Sequence, residues 1–494
     1  MTPVLTRAPS CARRHNRRSI FPLKTLAGFK PGVQSLLLAA VTGLLATGCK
    51  TYQEQNKVIQ HWQRGDLTNA VVEASRMADK NAGNKDAVIW RLEQGAVLRA
   101  NGQYEDSNQA FDTAQEKMDN FAQQARVRLG QETGAMFSNQ AELDYEGRAY
   151  DGIMLNTYKA LNYLALGEPD KARPELIRAY QRQQDAVVDN QKRIEKVKNE
   201  AANNKDSAAI QRAQNDPGLQ AQIQNTTTNL NNLKPYAPFV NPFTIYLDGL
   251  FFMTDAADNS DLERARKSFE RVTEMAPDNP YARQDLAMVN GLINGRPLAP
   301  TTFVIFETGC APVRGQVRIS IPIIVTKVSY IGAAFPTLEP QGNYVPSLTV
   351  TADGKSESTA LVSDMDSVIG LDFKNEMPIV ITKTIAAAVI KGVAAYAANQ
   401  AAGQQNEWAG LLTQIGTAIY QAAVNIADER TWTTLPKAFQ VCHVPTPPDR
   451  KIELIPAGGR QTIQVTIGDG TINLIYVKSI NAASPLLVTQ MKLK

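Results

Sequence analysis

Few residues in this 494-residue chain could do chemistry, judged by their types and spacing. Its three histidines and four cysteines form no HExxH, CxxC or clustered Cys/His pattern, and no G-x-S-x-G elbow or phosphate-binding loop occurs. Cys442 and His443 are adjacent, but neighbouring strand residues point to opposite faces and cannot act as nucleophile and base. We therefore predict no enzyme activity, no metal and no cofactor. Paired carboxylates, as in a glycan hydrolase, leave no local pattern and stay open as an alternative.

The first 48 residues have the composition of a removable leader. They hold seven basic residues and no acid, and their apolar stretch Leu36–Ala46 is too short to span a bilayer. The stretch runs into LATGC, ending at Cys49, which resembles the lipobox of bacterial lipoproteins. That resemblance implies cleavage after Gly48 and acylation of the Cys49 sulfur; an ordinary leader with an incidental cysteine is the alternative. Because Lys50 rather than Asp follows, we expect lipid anchoring in the bacterial outer membrane, facing the periplasm.

Removing the leader changes the charge of the protein. The whole chain has a net charge of +4, whereas residues 49–494 contain 45 basic against 48 acidic residues, a net charge of −3. The mature part therefore lacks the basic footprint of a nucleic-acid-binding protein, and we predict no nucleic-acid partner.

Two further cysteines, Cys310 and Cys442, remain once the leader and the lipidated cysteine are set aside. Both fall on or beside predicted strands of the same domain, in a compartment that permits disulfides. We predict a Cys310–Cys442 disulfide, with two buried thiols as the alternative.

A recurring pattern organises residues 49–295. It reads Gly-x-aromatic/Leu-x-x-Ala-x-x-x-Phe/Leu-x-x-Ala and starts at Gly65, Gly102 and Gly167, with a fourth copy from Leu262. The pattern resembles the tetratricopeptide repeat, in which a turn glycine separates two helices and small residues allow close helix contact. This implies an all-α, tetratricopeptide-like solenoid with a concave groove for a peptide or a partner helix. Groove-lining candidates, which could equally be packing or solvated residues, are Arg99, Thr157, Tyr158 and Leu161.

Residues 181–233 interrupt the repeats with a polar insertion rich in Gln, Asn, Lys and Asp. Sparse apolar positions and the break at Asp216-Pro217-Gly218 predict two long polar helices, joined by a turn and projecting from the solenoid. Partial disorder of the insertion is the alternative.

The pattern changes to alternation in residues 301–494. Val317, Ile319 and Ile321 alternate with other residues, as do Ile463 and Val465, and many short strand segments predict a β-sandwich-like domain. A helical insertion, residues 375–428, interrupts the strands with two Ala-rich segments. We predict a helical hairpin packed on the β-domain; a membrane hairpin is the alternative, disfavoured by lysines within the first segment.

Longer motifs resemble a poorly characterised family of tetratricopeptide-bearing bacterial lipoproteins. They include Met154–Leu164 (MLNTYKALNYL), Phe306–Pro312 (FETGCAP) and Asp428–Pro436 (DERTWTTLP). The resemblance covers nearly the whole mature chain and implies an α+β architecture of lipid anchor, repeat solenoid and β-rich domain. Relatives are often encoded near lipoproteins that activate penicillin-binding proteins, which implies work in the cell envelope.

These observations predict a membrane-anchored, protein-binding scaffold in the bacterial envelope that takes part in envelope or cell-wall assembly. Its expected partners are an envelope protein or peptide and, through the N-terminal lipid, the membrane. A structural subunit of a secretion or surface assembly and an envelope-active hydrolase are the alternatives.

Overall fold

The computed structural model describes residues 50–127, 140–322, 330–403, 426–459 and 461–494. All of them belong to the second of the two compact units into which the chain divides, Met1–Gly48 and Cys49–Lys494. Cys49 itself lies outside the described residues, so its acylation stays a prediction. Helices make up the N-terminal half, and mixed sheets dominate the C-terminal part, which confirms the α+β class.

The helical half begins one residue after Cys49. Its helices are α1 (Lys50–Gln63), α2 (Leu67–Lys80), α3 (Ala87–Ala100), α4 (Tyr104–Val127), α5 (Ala149–Ala165), α6 (Pro169–Ala202), α7 (Ser207–Gln214), α8 (Pro217–Asn225), α9 (Pro242–Thr254), α10 (Asn259–Met275) and α11 (Pro280–Ile293).

Consecutive helices pack in pairs, namely α3 with α4, α5 with α6 and α9 with α10. The turn glycines that open the pattern have left-handed backbones, with φ of +79° at Gly102 and +73° at Gly167, a region that glycine enters without steric cost. Within the α3–α4 pair, a Cβ added to Gly95 would lie 2.4 Å from Cε1 of Phe111. A glycine facing a large ring therefore sets how closely these two helices approach.

Three sheets follow. Their strands are β1 (Thr301–Thr308), β2 (Val313–Pro322), β3 (Tyr330–Glu339), β4 (Leu348–Ala352), β5 (Lys355–Ser358), β6 (Ala360–Asp364), β7 (Ala438–Pro445), β8 (Lys451–Pro456), β9 (Ile463–Thr466), β10 (Ile472–Ser479) and β11 (Leu486–Lys492). The central sheet has the order β11-β10-β1-β7-β6, with β1 parallel to β10 and antiparallel to β7. A second sheet has the order β5-β4-β8-β9, and β2 pairs with β3 alone.

The central sheet is covered on both faces, which explains why every residue of β1 and β10 is buried. On one face Phe439 stacks on Phe243 of α9, with ring centroids 3.7 Å apart. On the other face Gln440 donates to the Pro346 carbonyl and accepts from the Thr359 hydroxyl. Strands buried on both faces are apolar at nearly every position instead of alternating.

The polar insertion differs from its prediction. One long helix, α6, runs without a break to Ala202, and two short helices, α7 and α8, follow it instead of a second long one. The insertion packs against the helix α12 (Met365–Gly403) instead of projecting, and several of its sparse apolar side chains are buried, among them Val197, Ile210 and Leu219, whereas Val187 and Val188 are exposed. The predicted break does occur, because Asp216 caps α8 by accepting from the Leu219 N–H.

Helix α12 starts before the predicted helical insertion and runs past Pro378. By length and composition its Met365–Ala394 part could cross a membrane, but 56% of that apolar window is buried inside the protein. It packs on α6, α7 and β3, as a core helix does. Most of the second predicted helix of the hairpin lies outside the described residues.

Candidate binding groove and its intramolecular occupant

The four predicted groove residues are all buried and form no open groove. Thr157, Tyr158 and Leu161 of α5 are at most 1% exposed, and Arg99 of α3 is 8% exposed. This corrects the prediction that they line an accessible surface. The physical reason is that the central sheet packs against this face of the helices.

Glu307 of β1 is the centre of that contact. Its carboxylate accepts from the Tyr158 hydroxyl at 2.9 Å and also from Tyr476 and Lys478 of β10. The guanidinium of Arg99 lies 4.8 Å from the ring centroid of Tyr476 and 5.2 Å from that of Tyr158. Burial alone would raise the pKa of Glu307, but the Lys478 charge and these hydrogen bonds lower it below its usual range. The buried charge is therefore fully paired, as burial requires.

A segment without helix or strand, Asp428–Leu435, with a turn at Thr433 and Thr434, lies beside this contact; we refer to it as the strap. Glu93 of α3 accepts from the Thr433 N–H at 2.7 Å and from the hydroxyls of Thr433 and Thr434 at 2.5 and 2.7 Å. The Trp432 ring lies edge-on to Phe111 and Tyr158, with centroids 5.8 and 5.9 Å away. A segment of the chain itself therefore occupies the space beside Glu93 and the rings of Phe111 and Tyr158.

The strap begins in an ion cluster that also holds α12. Arg148, just before α5, donates to both oxygens of Glu376 of α12 at 2.7 and 2.8 Å, and Arg314 of β2 donates to the same carboxylate at 2.7 Å. Asp428 accepts from Arg430 at 2.7 Å, and Arg430 donates to Asp86 at 3.1 Å.

Two carboxyl groups in this cluster have pKa values that are shifted in opposite directions. Burial would raise the pKa of Glu376, but the charges of Arg148 and Arg314 lower it well below its usual range. Burial, together with the nearby Glu376 charge, raises the pKa of Asp372 to about 7. Because its ionised members are paired with arginines, the cluster is a structural clamp between the helical half and α12.

A second buried pair joins α11 to the sheet. Nε2 of His443 in β7 lies 3.3 Å from the fully buried carboxylate of Asp285. Burial raises the pKa of Asp285 to about 8 and lowers the pKa of His443 to about 4. The pair therefore holds one proton near neutral pH. The Tyr281 ring lies 5.3 Å from the histidine ring, whereas His61, the other histidine among the described residues, hydrogen-bonds to Asp66 far from this pair in the chain.

The predicted disulfide is not formed, because Cys310 and Cys442 are both free thiols. Cys442 of β7 lies opposite Val304 of β1, whereas Cys310 follows Val304 by six residues in the chain. The strand part from Val304 to Thr308 alone spans about 13 Å, more than the roughly 7 Å that a disulfide permits between Cα atoms, and Cys310 lies beyond that end, where its thiol donates to the Ile480 carbonyl. Burial raises the pKa of Cys310 to about 11 and raises the pKa of Cys442 as well, so neither thiol is activated.

Sequence reasoning missed Glu93, Glu307 and Glu376. Glu93 and Glu307 each stand among apolar neighbours in a segment that is otherwise buried, in AVIWRLEQGAV and TTFVIFET. An acid at a core position was the available signal, since such an acid needs a partner. Within the described residues, no group of three or more His, Cys, Asp or Glu side chains could hold a metal ion.

Comparisons with protein-family models, curated proteins and solved structures gave no match to the chain. The resemblance to tetratricopeptide-bearing lipoproteins therefore stays a prediction.

Proposed function

We propose that this protein is a lipid-anchored scaffold of the bacterial outer membrane that binds the amphipathic helix of another envelope protein. The docking surface is an uncharged stripe on the outer face of α6. The observation that carries the proposal is the exposure of Ile177 and Val188 in the middle of an otherwise polar helix, at 43% and 53%.

The stripe consists of Ile177, Gln181, Gln184 and Val188, all of them exposed. Spacings of four, seven and eleven residues place these side chains within about 60° of arc, along about 16 Å of the helix. Of the five mainly exposed large apolar side chains among the described residues, three lie on α6, counting Val187 beside the stripe. Clustered apolar exposure of this kind marks an interaction site more often than single exposed residues do.

A helix is the partner that suits this surface. Apolar residues at both ends of a straight row accept a second helix whose apolar side chains repeat every three to four residues. The glutamines between them offer amides for hydrogen bonds and carry no charge. Arg178 and Asp185, both exposed, lie beside the row and would favour a partner with charges of both signs at its edges.

The architecture of the proposal is a tetratricopeptide-like repeat followed by a β-sandwich-like domain. Paired helices with left-handed glycines at Gly65, Gly102 and Gly167 support the repeat. The hydrogen bonds of Gln440 in the central sheet to Pro346 and Thr359, which flank strands of the second sheet, support the sandwich. The concave face is filled by the strap and the sheet, so binding is assigned to the outer face.

Cys49 is the residue that would carry the lipid anchor. Helix α1 begins at Lys50, and Gln55 is already buried against the strap, where its amide donates to the Thr431 carbonyl. An acyl group on Cys49 would therefore hold the folded body close to the membrane surface. Labelling with radioactive palmitate should require Cys49, and the C49S variant should lose both the label and membrane fractionation. Equal labelling of C49S, or a free cytosolic protein, would overturn the anchor.

Site-specific photo-crosslinking in the cells that make the protein tests the docking surface. A photoreactive residue at position 177 or at position 188 should give one discrete adduct with the partner. With the photoreactive residue at position 177, the V188D substitution should abolish the adduct. The matched control is Val72 of α2, which is exposed and apolar but lies outside the stripe. Adducts of the same kind from position 72, or none from 177 and 188, would refute docking on α6.

A further inference from the structure

A cavity of about 450 Å³ lies between the insertion and α12. Its floor is formed by Met377, Ile381 and Ile385 of α12, and Ile223 of α8 faces them. Glutamines of α7 and α8 also line the cavity. The volume falls in the range of pockets that hold small molecules, roughly 300–1,000 Å³.

The floor is straight and apolar. Met377, Ile381 and Ile385 are spaced four residues apart, so they form one row about 12 Å long on the helix surface. A straight row of apolar side chains of this length suits a flexible, linear occupant better than a flat ring.

One end of the row carries a charge. Lys374 lies one helical turn before Met377 and contributes the single formal charge among the lining residues of the cavity. Its ammonium donates one hydrogen bond to the Leu230 carbonyl at 2.7 Å, which fixes its position. An ammonium has three N–H donors, so two remain for an anionic group at the cavity mouth.

We propose that this cavity binds one aliphatic chain that ends in an anionic head group, with the chain along Met377–Ile385 and the head at Lys374. The chemistry is shared by a free fatty acid and by an acyl chain of an anionic phospholipid. Chain burial supplies the affinity, since the removal of each methylene of the chain from water is favourable. Lys374 supplies the preference for an anionic head.

The test uses the compact unit Cys49–Lys494 carrying C49S, so that no lipid is attached. A dansyl-labelled undecanoic acid should bind with a 1:1 stoichiometry and be displaced by palmitate. I381W fills the cavity and should weaken this binding at least tenfold, whereas V72W, on the exposed surface of α2, should leave it unchanged. Absence of saturable binding, or equal weakening by V72W, would overturn the proposal.

Lys374 provides a second measurement that does not depend on filling the core. The wild type should prefer palmitate to hexadecanol by at least tenfold, and K374Q should remove that preference while keeping chain binding. An unchanged preference in K374Q would refute the head-group assignment. Native mass spectrometry of the protein from cells, with and without added phosphatidylglycerol vesicles, should identify the bound species as a fatty acid or a phospholipid; if both samples lack bound lipid, the site does not act in the cell and the proposal fails.

Discussion

Glu93 and Thr433, separated by 340 residues in the chain, form a two-point contact in which the carboxylate accepts both the N–H and the hydroxyl of the threonine. This contact joins α3, the third helix of the helical half, to the strap. It removes from solvent the surface on which the sequence predicted a binding groove. The helical half and the strap are therefore parts of one interior.

Replacing Glu93 with alanine should lower the free energy of unfolding by about 3 kcal/mol, because the Thr433 N–H and two hydroxyls lose their acceptor in a buried site. Urea unfolding of the C49S unit measures the change. E93Q keeps one acceptor oxygen and should cost less than E93A. The control E263A removes an exposed pair with Arg266 and should cost about 0.5 kcal/mol. Equal effects of E93A and E263A would show that the strap contact does not stabilise the fold.

Glu376→Gln should destabilise the protein by about 3–5 kcal/mol at neutral pH, because Arg148 and Arg314 would stay buried without their carboxylate. The folded-state pKa of Glu376 is lowered, so its contribution is present above the ordinary value near 4.5 and is lost as the pH falls through the lowered pKa. The difference between wild type and E376Q should therefore shrink from pH 6 to pH 3. The surface variant E142Q, which loses only Lys85, should show neither effect.

Asp285→Asn should reduce the loss of stability that the protein shows as the pH rises. The folded-state pKa of Asp285 is raised to about 8, so its contribution is complete below the ordinary value of 3.8 and is lost as the pH rises through 8. His443 acts in the opposite direction: its pKa is lowered to about 4, so stability is lost as the pH falls from 6.5 towards 4. Melting temperatures between pH 5 and pH 8.5 should fall less in D285N than in wild type. A parallel decline in both proteins would contradict the assignment.

Gly95→Ala should cost about 1–3 kcal/mol, because the new Cβ meets the Phe111 ring at 2.4 Å and forces α3 and α4 apart. Gly83→Ala is the matched control, since nothing lies within 4 Å of its added Cβ. Thermal unfolding of the two variants gives the comparison. A G95A protein as stable as G83A would show that the helix pair tolerates separation.

Local features were readable from the amino-acid sequence. The recurring glycines predicted where helices end, because only the left-handed backbone at Gly102 and Gly167 needs that residue. The small residues of the same pattern predicted close contact between paired helices. Alternation in residues 301–494 predicted strands, and the two halves together predicted the α+β class. Each of these inferences depends on a residue and its neighbours within about four positions.

Other features depended on tertiary contacts. Tyr158 has the type and position of a groove residue, yet it is buried because Glu307, 149 residues away, packs onto it. Cys310 and Cys442 lie in one domain, but the strand register keeps them apart. The insertion packs on α12 instead of projecting, because several of its few apolar side chains are buried between the insertion and its neighbours. Sequence periodicity determines which residues share a face of an element, whereas the element that covers that face is chosen by the free energy of packing distant segments together.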